Sequence, residues 1–203
     1  MNDINVSDLD QGYEKCKELS TISSTNGENL LSSLSSNIAS LKSHWISTDA
    51  TAHINNLISV YRGLDTLIND ALSVTHDAAE KIIRIQRVRS ANASGSGIVG
   101  ESLPSSKTFN TIAEAEPTTR YYVDAGALTD LTTLQDIFTE YKTFLDKFTT
   151  AKDELLSNWL AGANREQAVS TFETFNDDTA KYTDYFNRAI ENLSKATNNI
   201  SQI

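Results

Sequence analysis

The sequence predicts an all-α fold, two helical hairpins forming an elongated four-helix bundle, and three observations carry that prediction. Apolar residues recur every three or four positions over two long stretches. Both prolines, Pro104 and Pro117, fall in the segment between those stretches. Each of the two tryptophans, Trp45 and Trp159, stands where one apolar seam ends and the next begins, with small residues directly after it.

Residues 1–90 read as the first hairpin. Leu31, Leu34, Ile38, Leu41 and Trp45 make one seam. Ile54, Leu57, Tyr61, Leu64, Ile68 and Ala71 make the next, which continues through Ala78, Ile82 and Ile85. This is the spacing of about 3.5 residues that packs nearly antiparallel helices knobs into holes. Ser20 to Asn29 is rich in Ser and Thr and contains Asn26-Gly27, so the first helix is expected to kink there or to start after it.

Residues 91–125 read as a linker. Ser94-Gly95-Ser96-Gly97, Gly100 and Pro104-Ser105-Ser106 break any helix, and Lys107 to Glu116 is open to a short helix or to lying against the bundle. Residues 126–203 repeat the hairpin. Leu134, Phe138, Tyr141, Leu145, Phe148 and Leu155 lead to Trp159; Ala168, Phe172, Phe175, Tyr182, Phe186, Ala189 and Leu193 lead away. Helices of about 40 residues are about 60 Å long, and a linker of about 35 residues reaches about 115 Å. Such a linker spans a bundle end to end, which favours antiparallel pairing of the hairpins.

Charge and composition narrow the function. The formal charge is -10 with 39% apolar residues, and the one basic cluster is Arg84, Arg87 and Arg89, so nucleic acid is not an expected partner. No run of about 18 apolar residues occurs, so no integral membrane segment is expected. The N-terminal residues have neither a basic start nor an apolar stretch, so a Sec signal peptide is not indicated. Cys16 is the single cysteine, read as a small core residue rather than a cross-linking thiol.

Chemistry-bearing patterns are sparse. His44, His53 and His76 do not pair at helical spacing, so no metal site is expected. There is no Gly-rich phosphate loop, no Gly-x-Ser-x-Gly elbow and no Cys/His nucleophile pair, and the bundle seams lack the facing Glu-x-x-His motifs that hold a cofactor. The expectation is a protein that is not an enzyme, with no catalytic residues and no cofactor.

Trp45-Ile46-Ser47, followed by Asp49-Ala50, and Trp159-Leu160-Ala161-Gly162 are each a helix end, a Trp and small residues before a second helix. This pattern resembles the WXG-motif family of small type VII secretion substrates, here as two copies fused in tandem. Ser47 and Ala161 stand where that family usually has Gly, and Gly162 follows one position later. The resemblance implies an intramolecular pseudo-dimer of hairpins, secreted by a signal-peptide-independent route from a cytoplasmic pool. The implied partners are the type VII secretion ATPase and a larger secreted toxin or another WXG-like protein.

In that family export is associated with a Trp turn beside a helix motif of the other hairpin. One pattern, His-x-x-x-Asp/Glu-x-x-apolar-x-x-x-His, is matched by His76, Glu80 and Ile83, with Arg87 in the last position. A second, Tyr-x-x-x-Asp/Glu, is met in letters by Tyr61 and Asp65, but mid-helix and close to Trp45, so it is set aside. The alternatives to secretion are a cytoplasmic adaptor or structural bundle and, further off, a membrane-active helical toxin.

Overall fold

A computed structural model describes residues 9–92, 100–159 and 163–198. Helix α1 (Leu9–Thr21) passes through a π-helical turn (Ile22–Asn26) into α2 (Gly27–His44). A short strand β1 (Trp45–Ile46) precedes α3 (Thr48–Asn92), and β2 (Tyr122–Val123) precedes α4 (Gly126–Asn158) and α5 (Ala163–Asn198). The chain is an all-α helical bundle, with β1 and β2 the one antiparallel pair among the described residues.

Of the kink or late start expected around Ser20 to Asn29, the late start does not occur, since α1 begins at Leu9; a π-turn interrupts the α register there instead. Thr21 Oγ1 donates to the Lys17 carbonyl and Ser23 Oγ to the Leu19 carbonyl, each at 2.8 Å. Such back-bonding competes with the helical ladder and bends it. The Gly27 N–H then reaches the Ile22 carbonyl, five residues back, before the α register resumes.

The chain divides into two compact units that cut across the helices. One comprises Met1–Gly27, Thr66–Thr108 and Phe144–Thr174; the other comprises Glu28–Asp65, Phe109–Thr143 and Phe175–Ile203. The core of the first holds Cys16, Leu19, Ile68, Leu72, Ala78, Ile82, Phe144, Phe148, Leu155, Trp159 and Phe172. Phe148 meets Phe172 edge-on at 5.8 Å and Phe144 at 5.7 Å, arrangements that suit the ring quadrupoles.

The core of the second holds Leu34, Ile38, Leu41, Trp45, Ile54, Leu57, Leu64, Leu134, Ile137, Tyr141, Phe186 and Leu193. The rings of Phe138, Tyr141 and Phe186 form a cluster with Phe186 5.1 Å from each of the others. Gly63 permits a close approach here, because a Cβ on it would run into the Tyr182 hydroxyl. The α4 seam differs from the sequence reading in one respect. Ile137, Phe144 and Ala151 are its buried residues between Leu134, Tyr141, Phe148 and Leu155, whereas Phe138 and Leu145 lie half-buried at its flank.

The part of the linker from Gly100 to Ala125 forms no helix over Lys107 to Glu116 and lies against α3; residues 93–99 are outside the described residues. From Phe109 to Thr118 the half-buried side chains are Phe109, Ile112, Ala115 and Thr118, one in every three, the period of polyproline II. It runs antiparallel to α3, held by side chains that grip its backbone. In one unit Thr48 donates to the Thr118 carbonyl at 3.0 Å, and Arg62 to the Ile112 carbonyl at 3.3 Å. Between them Asn55 makes a two-way clamp on Ala115, donating at 3.2 Å to its carbonyl and accepting its N–H at 2.8 Å. In the other unit Asn69 accepts the Lys107 N–H at 2.8 Å, and His76 Nδ1–H donates to the Leu103 carbonyl at 2.6 Å.

Thr48, Asn55, Arg62, Asn69 and His76 are spaced by sevens. Seven helical residues rise about 10.5 Å, close to the roughly 10 Å spanned by three residues of extended chain. The steps from Thr118 to Ala115 to Ile112 match that interval.

Candidate functional site

At the first turn, Trp45 is 3% exposed and its indole stacks on His53, with ring centroids 5.8 Å apart and planes 6° from parallel. Its backbone pairs with Val123, and Ile46 pairs with Tyr122. Ser47 is the N-cap of α3: its Oγ accepts the Ala50 N–H at 3.0 Å, while its carbonyl accepts the Thr51 N–H. Asp49 is exposed in the first helical turn, where a negative charge suits the helix dipole, and Ala50 is fully buried. The Ser that stands in the glycine position therefore has a structural job of its own.

Two histidines flank this turn with opposite electrostatics. His44 Nδ1 lies 2.9 Å from Asp130 Oδ2. That hydrogen bond raises the His44 pKa, with the charges of Asp124 and Asp130 adding to it against some desolvation. The His44 ring packs on Gly126, where a Cβ would come within 2.7 Å of it. Burial lowers the His53 pKa, opposed by Asp49 and reinforced by Arg188 of α5, and its Nδ1 is buried without a hydrogen-bond partner among the described residues. Asp124 caps α4 by accepting the Gly126 N–H at 2.9 Å and also accepts the Tyr122 hydroxyl, which holds its carboxyl below the usual range.

Ser40, His44 and Asp130 invite comparison with a nucleophilic relay. Ser40 Oγ and Asp130 Oδ2 both approach the same ring nitrogen, Nδ1. A relay needs the hydroxyl on one nitrogen and the carboxylate on the other, so this trio positions the turn and does not activate the serine. Among the described residues no group of three or more His, Cys, Asp or Glu is arranged to hold a metal ion.

At the second turn, Trp159 is also 3% exposed, but its surroundings are apolar. It lines a cavity of about 10 Å³ with Gly12, Cys16, Ala78, Ile82, Leu155 and Asn158. The indole N–H is buried and finds no acceptor among the described residues. Burial pushes the Cys16 thiol up to about 12, which keeps it protonated and unreactive. Ala161 and Gly162 lie outside the described residues.

The helix pattern expected beside Trp159 belongs to the same unit. Ile83 is buried, Arg87 exposed, and His76 and Glu80 half-buried. His76 is occupied by the linker through Leu103, so the four residues do not form one open face. Asn55, Asn69 and Tyr61, whose hydroxyl donates to the Asn110 carbonyl at 2.8 Å, were not legible as functional from motifs. The signal that marks most of this set is the polar stripe at intervals of seven along α3. No described helix is long and apolar enough to cross a membrane. No protein-family model matches the chain, and no curated protein or solved structure matches it either.

Proposed function

We propose that the chain is a type VII secretion substrate of WXG-family character, or the co-secreted partner that escorts a larger toxin. Its two hairpins act as an intramolecular pseudo-dimer, and it works by recognition rather than catalysis. The observation that supports this reading most directly is the wall of the Trp159 cavity. It joins Leu155 and Trp159 of the second hairpin to Ala78 and Ile82 of the first. A tryptophan turn beside the late part of another hairpin's helix is the composite geometry that such a signal needs. Glu80 and Arg87 border that helix segment and are the side chains to which a secretion ATPase would bind.

The test is expression in a type VII-competent bacterium and in an isogenic strain lacking the secretion ATPase. ATPase-dependent appearance in the medium is expected. Retention in both strains, with intact cells and good expression, would instead favour a cytoplasmic adaptor bundle. His76→Ala is a poor probe of the signal, because it also releases the linker from α3. Glu80→Ala and Arg87→Ala are the informative substitutions, and unchanged export in the double variant would remove these residues from the signal.

A further inference from the structure

The short strand beside Trp45 has an unused edge, and its sequence is complementary to itself. The Asp124 N–H donates to the His44 carbonyl at 3.3 Å, and in the same register Trp45 faces Val123 and Ile46 faces Tyr122. Antiparallel pairs alternate between hydrogen-bonded and non-hydrogen-bonded. With His44 and Asp124 a bonded pair, Ile46 and Tyr122 are the next, and Val123 turns its N–H and carbonyl away from β1. Tyr121 does the same. The sheet has two strands, so among the described residues these groups face no partner strand.

An open edge of this kind is a template for another strand. Tyr121 is 68% exposed and Tyr122 is 46% exposed, which leaves the edge and its flanking rings accessible. The segment reads Arg120-Tyr121-Tyr122-Val123-Asp124. We infer that this edge binds the same edge of a second copy of the chain, antiparallel and centred on Tyr122. In that register Tyr121 of each copy opposes Val123 of the other, so all the outward N–H and carbonyl groups meet. Arg120 opposes Asp124 twice, and the two Tyr122 rings fall in a non-hydrogen-bonded pair, where side chains approach most closely.

Shifting the register by two residues sets Tyr121 opposite Tyr121 or Val123 opposite Val123 and loses both charge pairs, so the charges select the alignment centred on Tyr122. The Asp124 carboxylate accepts the Gly126 N–H on one oxygen and the Tyr122 hydroxyl on the other. Each oxygen retains acceptor capacity for an arginine. The contact is isologous and closes on itself, giving a dimer and not a fibre. It is small compared with the roughly 1,200–2,000 Å² of a stable interface, so the dimer is weak and forms at high local concentration.

Sedimentation equilibrium of the full chain, from about 1 µM to about 1 mM, tests the proposal. The mean mass should climb from 22.3 kDa toward twice that value as concentration rises. Arg120→Glu sets like charges opposite each other at both ends and should weaken association roughly tenfold. Val123→Pro removes an outward N–H, a change that edge strands accommodate, and should abolish association with the helical circular dichroism unchanged. If Val123→Pro disturbs the fold, Arg120→Glu decides alone, since Arg120 is exposed. A chain that stays at its monomer mass throughout, or association that Arg120→Glu leaves unchanged, overturns the proposal.

Discussion

The two tryptophan turns bury their indoles to the same degree by different means. Trp45 is surrounded by directional contacts: a stacked imidazole, a backbone pair to β2, the Ser47 cap and the His44–Asp130 pair. Trp159 has apolar walls, a small cavity and an indole N–H without an acceptor among the described residues. Trp159 is also a β-bridge residue, so the contrast lies in the side chains: directional contacts around one indole, apolar walls around the other. Equal burial therefore says little about how each turn responds to damage.

The largest effect that separates them is truncation. Trp159→Ala and Trp45→Ala should each cost about 3–5 kcal/mol. Trp→Phe splits them more sharply. At Trp159 the change also removes a buried, unpartnered N–H, which offsets part of the lost area, so Trp159→Phe should cost less than Trp45→Phe in urea melts. Equal costs would dissolve the contrast.

Next in size is the linker that runs up to the Trp45 turn. Asn55→Ala unclamps both backbone groups of Ala115 and should cost about 1–2 kcal/mol. Hydrogen exchange should show faster exchange at the Ala115 amide and slow exchange retained around Trp159. Ser47→Ala should cost about 1 kcal/mol through the lost cap, whereas Ser47→Gly should cost only a few tenths, both read from thermal denaturation.

The pH response is smaller and has two signs. His44 has its pKa raised in the folded state, so its stabilising pair with Asp130 is complete below the ordinary histidine value and fades as pH rises through the raised value. His53 has its pKa lowered, so its contribution is complete above the ordinary value and is lost as pH falls through the lowered one. Stability of the Trp45 turn should therefore peak near the ordinary histidine pKa. Tryptophan fluorescence of a Trp159→Phe variant, which leaves Trp45 as the only reporter, would follow it. Smallest of all, Arg87→Ala should change stability by less than about 0.5 kcal/mol, which makes any effect on export attributable to recognition.

Much of the bundle was readable in the chain because burial imposes a period. Leu134, Tyr141, Phe148, Leu155 and Trp159 are buried where the seam puts them, while Phe138 and Leu145 give way to Ile137, Phe144 and Ala151. Both sets lie on a spacing of three and four, and apolarity alone does not say which edge of the stripe faces inward. An irregularity in the first helix was legible from a Ser/Thr run with Asn-Gly, though not its π form, which depends on individual back-bonds. The linker's attachment was hidden for another reason. Asn, Thr, Arg and His along an exposed helix face look like ordinary solvated residues, and what they hold is backbone, which has no signature in the partner's sequence. His76 shows the cost: its letter matched a motif, while its hydrogen bond ties it to Leu103.

The way α3 grips the linker has a consequence for how the segment can change. Every clamp named along α3 reads main-chain atoms, so exposed side chains between the clamps, such as Thr111, Ala113 and Glu116, are free to drift with little penalty. Length is a different matter. Three extended residues keep step with seven helical ones between Thr48 and Arg62, so one inserted or deleted residue there would throw the remaining clamps out of phase. The segment behaves like a vernier scale, indifferent to what is written beside each mark and intolerant of a mark added or lost.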